Sequence, residues 1–119
     1  MKHHPTEIKI RKASKLLEVA FDEERFVMPF EYLRVFSPSA EVRGHGPGQE
    51  VLQVGKQDVN ITRIEPTGSY GVRLVFSDGH NSGIYSWDVL YDLGENQDNN
   101  WNSYIEQLEQ AGQSRTEAS

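Results

Sequence analysis

The segment YGVRLVF, residues 70–76, places Tyr70, Val72, Leu74 and Phe76 on one face of an extended chain, and SDG follows it directly. Side chains two apart share a face in a strand, so this stretch predicts one arm of a β-hairpin. Its turn is Asp78-Gly79, a pair suited to the left-handed backbone of tight hairpins, and the second arm runs through Ile84 and Tyr85. The other strands are read the same way. Ile8 and Ile10 alternate with Lys9 and Arg11, and Leu17, Val19 and Phe21 alternate with Glu18 and Ala20. DEER, residues 22–25, turns the chain into a short third strand, RFVMP, which Pro29 must end or keep at an edge because it has no N–H to donate. Pro29 then suits the first position of a short helix that packs Phe30, Leu33 and Val35 or Phe36 inward.

From Ser37 to about Lys56 the periodicity lapses, and Pro38, Gly44, Gly46, Pro47, Gly48 and Gly55 mark a loop. Order returns in VNITRIEP, where Val59, Ile61 and Arg63 alternate before Pro66 and Gly68 turn the chain. SWDVLYDLG reads as a short helix, with Ser86 as N-cap, Asp88 in the first turn and Gly94 as the left-handed residue beyond its end. In NNWNSYIEQLEQAG, Trp101, Tyr104, Ile105 and Leu108 form one stripe of a helix capped by Asn100 or Asp98 and stopped by Gly112. The expected architecture is α+β: a mostly antiparallel β-sheet with two or three short helices, including a C-terminal amphipathic helix. Residues 1–6 are expected to be a flexible N-terminus, 7–112 a single domain and 113–119 a disordered tail. A chain of 119 residues holds one modest core but not a core plus a separate catalytic lobe.

Composition removes several chemistries. There is no cysteine, hence no disulfide, thiolate nucleophile, zinc knuckle or iron–sulfur ligand set from this chain alone. No apolar run reaches the 18 or so residues of a membrane span, and MKHHPTEIKI has no apolar stretch of signal-peptide length, so a cytoplasmic protein without membrane attachment is expected. The formal charge of −6 is uneven: Lys2, Lys9, Arg11, Lys12 and Lys15 lie at the start, while no Lys or Arg falls between Arg73 and Arg115. That balance argues against nucleic acid. The basic first strand and the acidic 88–109 region are expected to neutralise one another across the fold, or the acidic region to form a docking face.

The polar chemistry gathers in LRVFSPSAEVRGHG, residues 33–46. Ser37, Asp78 and His80 have the residue types of a hydrolase triad, but Ser37 lacks the Gly-flanked elbow that exposes such a nucleophile, and Asp78 is common in turns. His45, Asp78 and His80 are candidate metal ligands without tight spacing. Gly44, Gly46 and Gly48 imitate a phosphate cradle, yet GHGPGQE has neither the terminal Lys-Ser/Thr nor a following helix. Trp87 and Tyr85 read as packing residues.

YLRVFSPSAEVRGH followed by VRLVFSDGHNSGIYSWDVLYDLG resembles the small bacterial proteins of the domain-of-unknown-function group 971 (DUF971), also called the gamma-butyrobetaine hydroxylase-like N-terminal domain, over roughly residues 7–95. In the dioxygenases of carnitine synthesis, the similar domain carries a zinc site of three cysteines and one histidine. Laid on this sequence, the cysteine positions fall at Ser37, Ser39 and Val42, and the histidine at His80. Three of the four ligands are replaced. The catalytic domain of those enzymes would begin where this chain ends, so their iron and 2-oxoglutarate sites are not carried over. Related domains are also fused to P-loop ATPases that act as iron–sulfur cluster carriers, which implies an accessory role.

The resulting expectation is a non-catalytic binding or protein-interaction domain. Its partner is an unidentified protein, with an iron–sulfur cluster carrier ATPase as the candidate the resemblance implies, and no cofactor is expected. Arg34, Ser37, Ser39, Glu41, Arg43, His45, Asp78 and His80 form the expected ligand or partner patch, mildly basic through Arg34, Arg43, His45 and His80. One alternative is a protein that binds zinc or iron through His80 with His45 or a carboxylate. Another is a small enzyme with its site around Arg34, His45 and His80.

Overall fold

A computed structural model describes residues 3–44 and 50–115. The α+β class holds, with the strands divided between two three-stranded antiparallel meanders. The first contains β1 (Glu7–Arg11), β2 (Leu16–Phe21) and β3 (Glu24–Pro29); the second contains β4 (Ile61–Thr67), β5 (Gly71–Phe76) and β6 (Ile84–Ser86). Four helices complete the described residues: α1 (Phe30–Val35), α2 (Ala40–Arg43), α3 (Trp87–Glu95) and α4 (Gln97–Gln110).

The hairpin that anchors the sequence pattern forms as expected, with Val72 opposite Tyr85 and Arg73 opposite Ile84. Val72, Leu74 and Phe76 are buried, whereas Tyr70 lies just outside the strand and is exposed. The turn is closed by Gly79 N–H donating to the Phe76 carbonyl and by Phe76 N–H donating to the His80 carbonyl, with Gly79 at φ 90°. In β4 the simple alternation breaks. A bulge between Ile61 and Arg63 leaves Thr62 as the extra residue, its hydroxyl donating to the Val75 carbonyl. The face therefore changes partway, so that Ile64, opposite Leu74, packs against the core and Arg63 points to solvent.

One core draws on both sheets and on α1 and α3. Leu17, Val19 and Met28 from the first sheet meet Ile61, Leu74 and Tyr85 from the second, together with Phe30, Leu33 and Leu90. A smaller cluster, Val35, Tyr104 and Leu108 with Trp101 and Ile105 packed against it, docks the expected stripe of α4. Pro29 ends β3 and stands before α1 as its cap residue, one position earlier than the first-turn place expected for it. α2, hidden in a stretch read as loop, is a single turn capped by Ser39, whose hydroxyl accepts from Glu41 N–H at 3.2 Å. α4 begins after Asn96, earlier than Asp98 or Asn100.

His3 and Arg115 also make tertiary contacts. The His3 ring stacks on Tyr91 with centroids 3.7 Å apart, and His3 N–H donates to Asp88. Beyond Gly112, at φ 68°, the chain turns back so that Arg115 reaches Glu31. In the basic first strand, Lys9 pairs with Glu7 and Arg11 with Glu18 of the same sheet.

Gly94 has a different role from the expected cap. It lies inside α3, which runs on to Glu95, and a Cβ there would overlap the Phe26 ring. The missing side chain is what lets α3 lie on β3. Gly94→Ala is therefore expected to destabilise the protein by about 1–3 kcal/mol through overpacking, although the same change in an exposed helix gains about 1 kcal/mol. Urea unfolding checks this, with Phe26→Leu in the Gly94→Ala background expected to recover part of the loss.

Candidate functional site

α1 is buried along its whole length, Glu31 and Arg34 included. A buried guanidinium needs a counter-charge and acceptors for its N–H groups. Arg34 finds both: Nε donates to Asp78 Oδ2 at 2.9 Å and Nη1 to Gln53 Oε1 at 3.1 Å. Asp78 also accepts from Lys56 Nζ at 2.9 Å and, through Oδ1, from the His80 backbone N–H at 3.2 Å. Burial alone would raise the Asp78 pKa, but Lys56, the His80 N–H and Arg34 together hold it below the usual aspartate value.

A second chain of bonds runs beside the first. Ser37 Oγ lies 2.8 Å from His80 Nε2, and His80 Nδ1 lies 3.0 Å from Glu41 Oε2. The carboxylate can only accept, which assigns the imidazole proton to Nδ1 and leaves Nε2 to accept from the Ser37 hydroxyl. Ser37 Oγ in turn accepts from Ser39 N–H, and the Ser39 and Ser82 hydroxyls bond at 2.6 Å. Gly83 allows this closeness, since a Cβ there would collide with Ser37 Oγ. Burial and the Arg34 charge depress the His80 pKa, and the opposing pull of Glu41 and Asp78 does not restore it.

The structure thus brings Arg34, Ser37, Ser39, Glu41, Asp78 and His80 together at the junction of the α1–α2 connection and the β5–β6 turn. His45 lies outside the described residues. Of the triad residue types discounted on sequence grounds, Asp78 serves Arg34 and Lys56, while Glu41 is the carboxylate that faces the imidazole. Ser37 is 0% exposed, so its hydroxyl is closed to a substrate in this arrangement. The expected basic surface is not assembled from these residues either. Arg34 is buried and paired, and the buried His80 ring is held toward its neutral form, which leaves Glu41 and Arg43 exposed to solvent. Gln53, Lys56, Ser82 and Gly83 belong to the same junction but escape sequence reading, because they lie in stretches without periodicity. Only the Gly83 before a strand hinted at a close approach.

Next to the junction is an open groove of about 350 Å³, lined by Val35, Phe36, Val42, Arg43, Gln53 and Tyr104 among others. Its wall is fixed by Tyr104 OH donating to the Gln53 carbonyl at 2.7 Å and by Val51 N–H donating to the Val42 carbonyl at 2.8 Å.

The family model for the gamma-butyrobetaine hydroxylase-like N-terminal domain matches residues 8–91. The chain belongs to that family. Among solved structures similar to this domain are two determined by solution NMR. One is 45% identical with a TM-score of 0.85, covering 98% of this chain and 94% of its own; the other is 48% identical with a TM-score of 0.82, covering 96% and 86%. A crystal structure of a protein of unknown function from Acidithiobacillus ferrooxidans, described as belonging to the DUF971 family, is 36% identical with a TM-score of 0.63, covering 76% and 91%. No curated protein matches significantly.

The zinc site of related gamma-butyrobetaine hydroxylase-like domains can be tested against the residues present. Ser37, Ser39 and His80 do converge, and Val42 lies one turn further on, in α2. They do not fit zinc. Hydroxyls replace two thiolates, an apolar side chain replaces the third, and both ring nitrogens of His80 are engaged. Among the described residues, no three His, Asp, Glu or Cys side chains are grouped to hold a metal. Hydrogen bonds close this loop.

Two outcomes follow from the buried imidazole. Below about pH 6.5 the unfolded chain takes up a proton at His80 that the folded ring, with its lowered pKa, does not. That contribution to stability is therefore expected to be full above that pH and to be lost as the pH falls below it through the lowered folded-state pKa. Urea unfolding across this range checks it, with His80→Gln removing that part of the slope. Ser37→Ala, which leaves a buried imidazole nitrogen without its donor, is expected to cost about 1–3 kcal/mol in the same assay while the fold survives.

Proposed function

We propose that this domain is a non-catalytic binding module that engages a protein partner through the groove beside the 37–42 turn. The observation that carries the reading is the division of labour at the junction. The side chains with reactive or charged groups, Ser37, His80 and Arg34, are engaged with one another and with Asp78 and Glu41, whereas the adjacent groove is open and lined by a mixture of apolar and polar groups. Binding sites are concave and set polar groups among apolar walls, and this groove is concave and offers both. The internal network then serves as a rigid frame for the groove wall. The fusion of related domains to iron–sulfur cluster carriers makes such an ATPase the first partner to try, in an accessory role close to metal-cluster assembly.

Amide shift mapping with an iron–sulfur cluster carrier ATPase tests the reading. Perturbations are expected at Val35, Val42, Arg43, 51–53 and Tyr104, and perturbations confined to the acidic 88–109 face would overturn it. A chelator arm separates the metal-binding alternative through His80: EDTA is expected to leave the melting temperature unchanged, and a drop of several degrees restored by zinc or iron would favour that alternative.

A further inference from the structure

Glu31 is the other charge buried with α1, and the group that answers it comes from the far end of the chain. Arg115 donates Nη2 to Glu31 Oε1 at 2.6 Å and Nε to Glu31 Oε2 at 3.1 Å, a two-pronged match of guanidinium to carboxylate. The guanidinium carbon also stands 5.4 Å from the Trp101 ring centroid, within reach of a cation–π contact. Carboxylate below and indole beside it form a receptor for a planar cation. The cleft holding them, about 260 Å³, is lined by Tyr32, Gln97 and Asp98 as well as Glu31, Trp101 and Arg115.

The occupant can be reached from solvent. The Arg115 side chain is 41% exposed while that of Glu31 is 7% exposed, so the receptor is built into the fold and the guanidinium lies at its mouth. Arg115 follows the α4 cap, where Gly112 N–H donates to the Glu109 carbonyl and Gln113 N–H to the Leu108 carbonyl, and its own carbonyl accepts from Gly55 N–H. Helices α3 and α4, the second of which lines the cleft, are acidic, and this suits a basic segment. Asp98 is at the rim, Asp92, Glu95, Glu106 and Glu109 are exposed on α3 and α4, and the sequence supplies no Lys or Arg between Arg73 and Arg115.

We propose that the Glu31–Trp101 cleft is an arginine-recognition site, occupied in cis by Arg115, that accepts an arginine presented by a basic segment of a partner protein when Arg115 is displaced. The cleft shares no lining residue with the groove described above, so the two sites fail or succeed independently. A tethered competitor weakens an incoming ligand in proportion to its effective concentration, which makes Arg115 a built-in brake on the site.

The test uses the full chain, ¹⁵N-labelled, and two blocked Gly/Ser peptides that differ only in one central Arg or Lys. The readout is the Trp101 indole N–H, with Trp87, whose indole donates to the Ser69 carbonyl, as internal reference. In Arg115→Ala the Arg peptide is expected to shift Trp101 saturably and to bind about tenfold tighter than to wild type. The Lys peptide, lacking the planar fork, is expected to bind about tenfold more weakly than the Arg peptide, and adding Glu31→Gln is expected to abolish the shift. Equal binding of the two peptides, binding that survives Glu31→Gln, or no shift at Trp101 would overturn the proposal. If Arg115→Ala does not fold, Arg115→Lys keeps a charge for Glu31 and should show the same ordering. Failure of both to fold would make Arg115 a structural pin and overturn the proposal as well.

Discussion

The structure depends on the burial of α1, a six-residue helix without a solvent face that carries a carboxylate and a guanidinium into the interior. Neither charge can stay there uncompensated, since desolvation of an isolated ion costs far more than any local contact returns. Each recruits a distant segment. Arg34 draws in Asp78 from the β5–β6 turn and Gln53 from the connection after α2, while Glu31 draws in Arg115 from beyond α4. The first sheet, the second sheet and the C-terminal helix are thus linked through one short helix by electrostatics as well as by the apolar core around Phe30 and Leu33.

The junction between the 37–41 segment and the 78–83 turn is held together by hydrogen bonds where the resemblance would place a metal knuckle. Three thiolates and an imidazole gathered on zinc hold two loops together by coordination bonds. In this chain Ser37, Ser39 and Glu41 reach Ser82 and His80 through hydrogen bonds, and Gly83 leaves the room they need. Several modest bonds do the work of one ion, and their geometry matters because a buried polar group left alone is costly. The resemblance of Ser37, His80 and Glu41 to a catalytic relay follows from the same requirement: a buried imidazole needs an acceptor on one side and a donor on the other. The relay also leaves its serine without exposed surface.

This packing bears on function through what it leaves open. The groove at Val42 and Tyr104 and the cleft at Glu31 and Trp101 lie near the two ends of α1's polar partnerships, where the segments it recruits meet α4. Both have walls fixed by buried bonds and mouths open to solvent, which is the arrangement expected of a domain that recognises other chains on preformed surfaces.

Periodicity made the strands legible, because Val72, Leu74 and Phe76 or Leu17, Val19 and Phe21 can share a face in one way only. The stripe of α4 and the Ser86 cap were readable for similar local reasons, as was the family, from two blocks of residues in order. The bulge at Thr62 was not, since it adds a residue without altering composition, and neither was Gly94, whose role is set by Phe26 on another element. Ser37, Asp78 and His80 were visible as a polar group, but their pairing was not. Glu41 rather than Asp78 faces the imidazole, because Arg34 and Lys56 hold Asp78 and only the packed turn decides which carboxylate meets the ring. The sequence by itself determined the α+β class, the strands and helices whose signals are local, and the absence of thiol chemistry. Tertiary structure alone decided which charges are buried, which partners answer them and which surfaces remain open, because those depend on contacts between residues 19 to 84 positions apart, and local periodicity carries no information at that range.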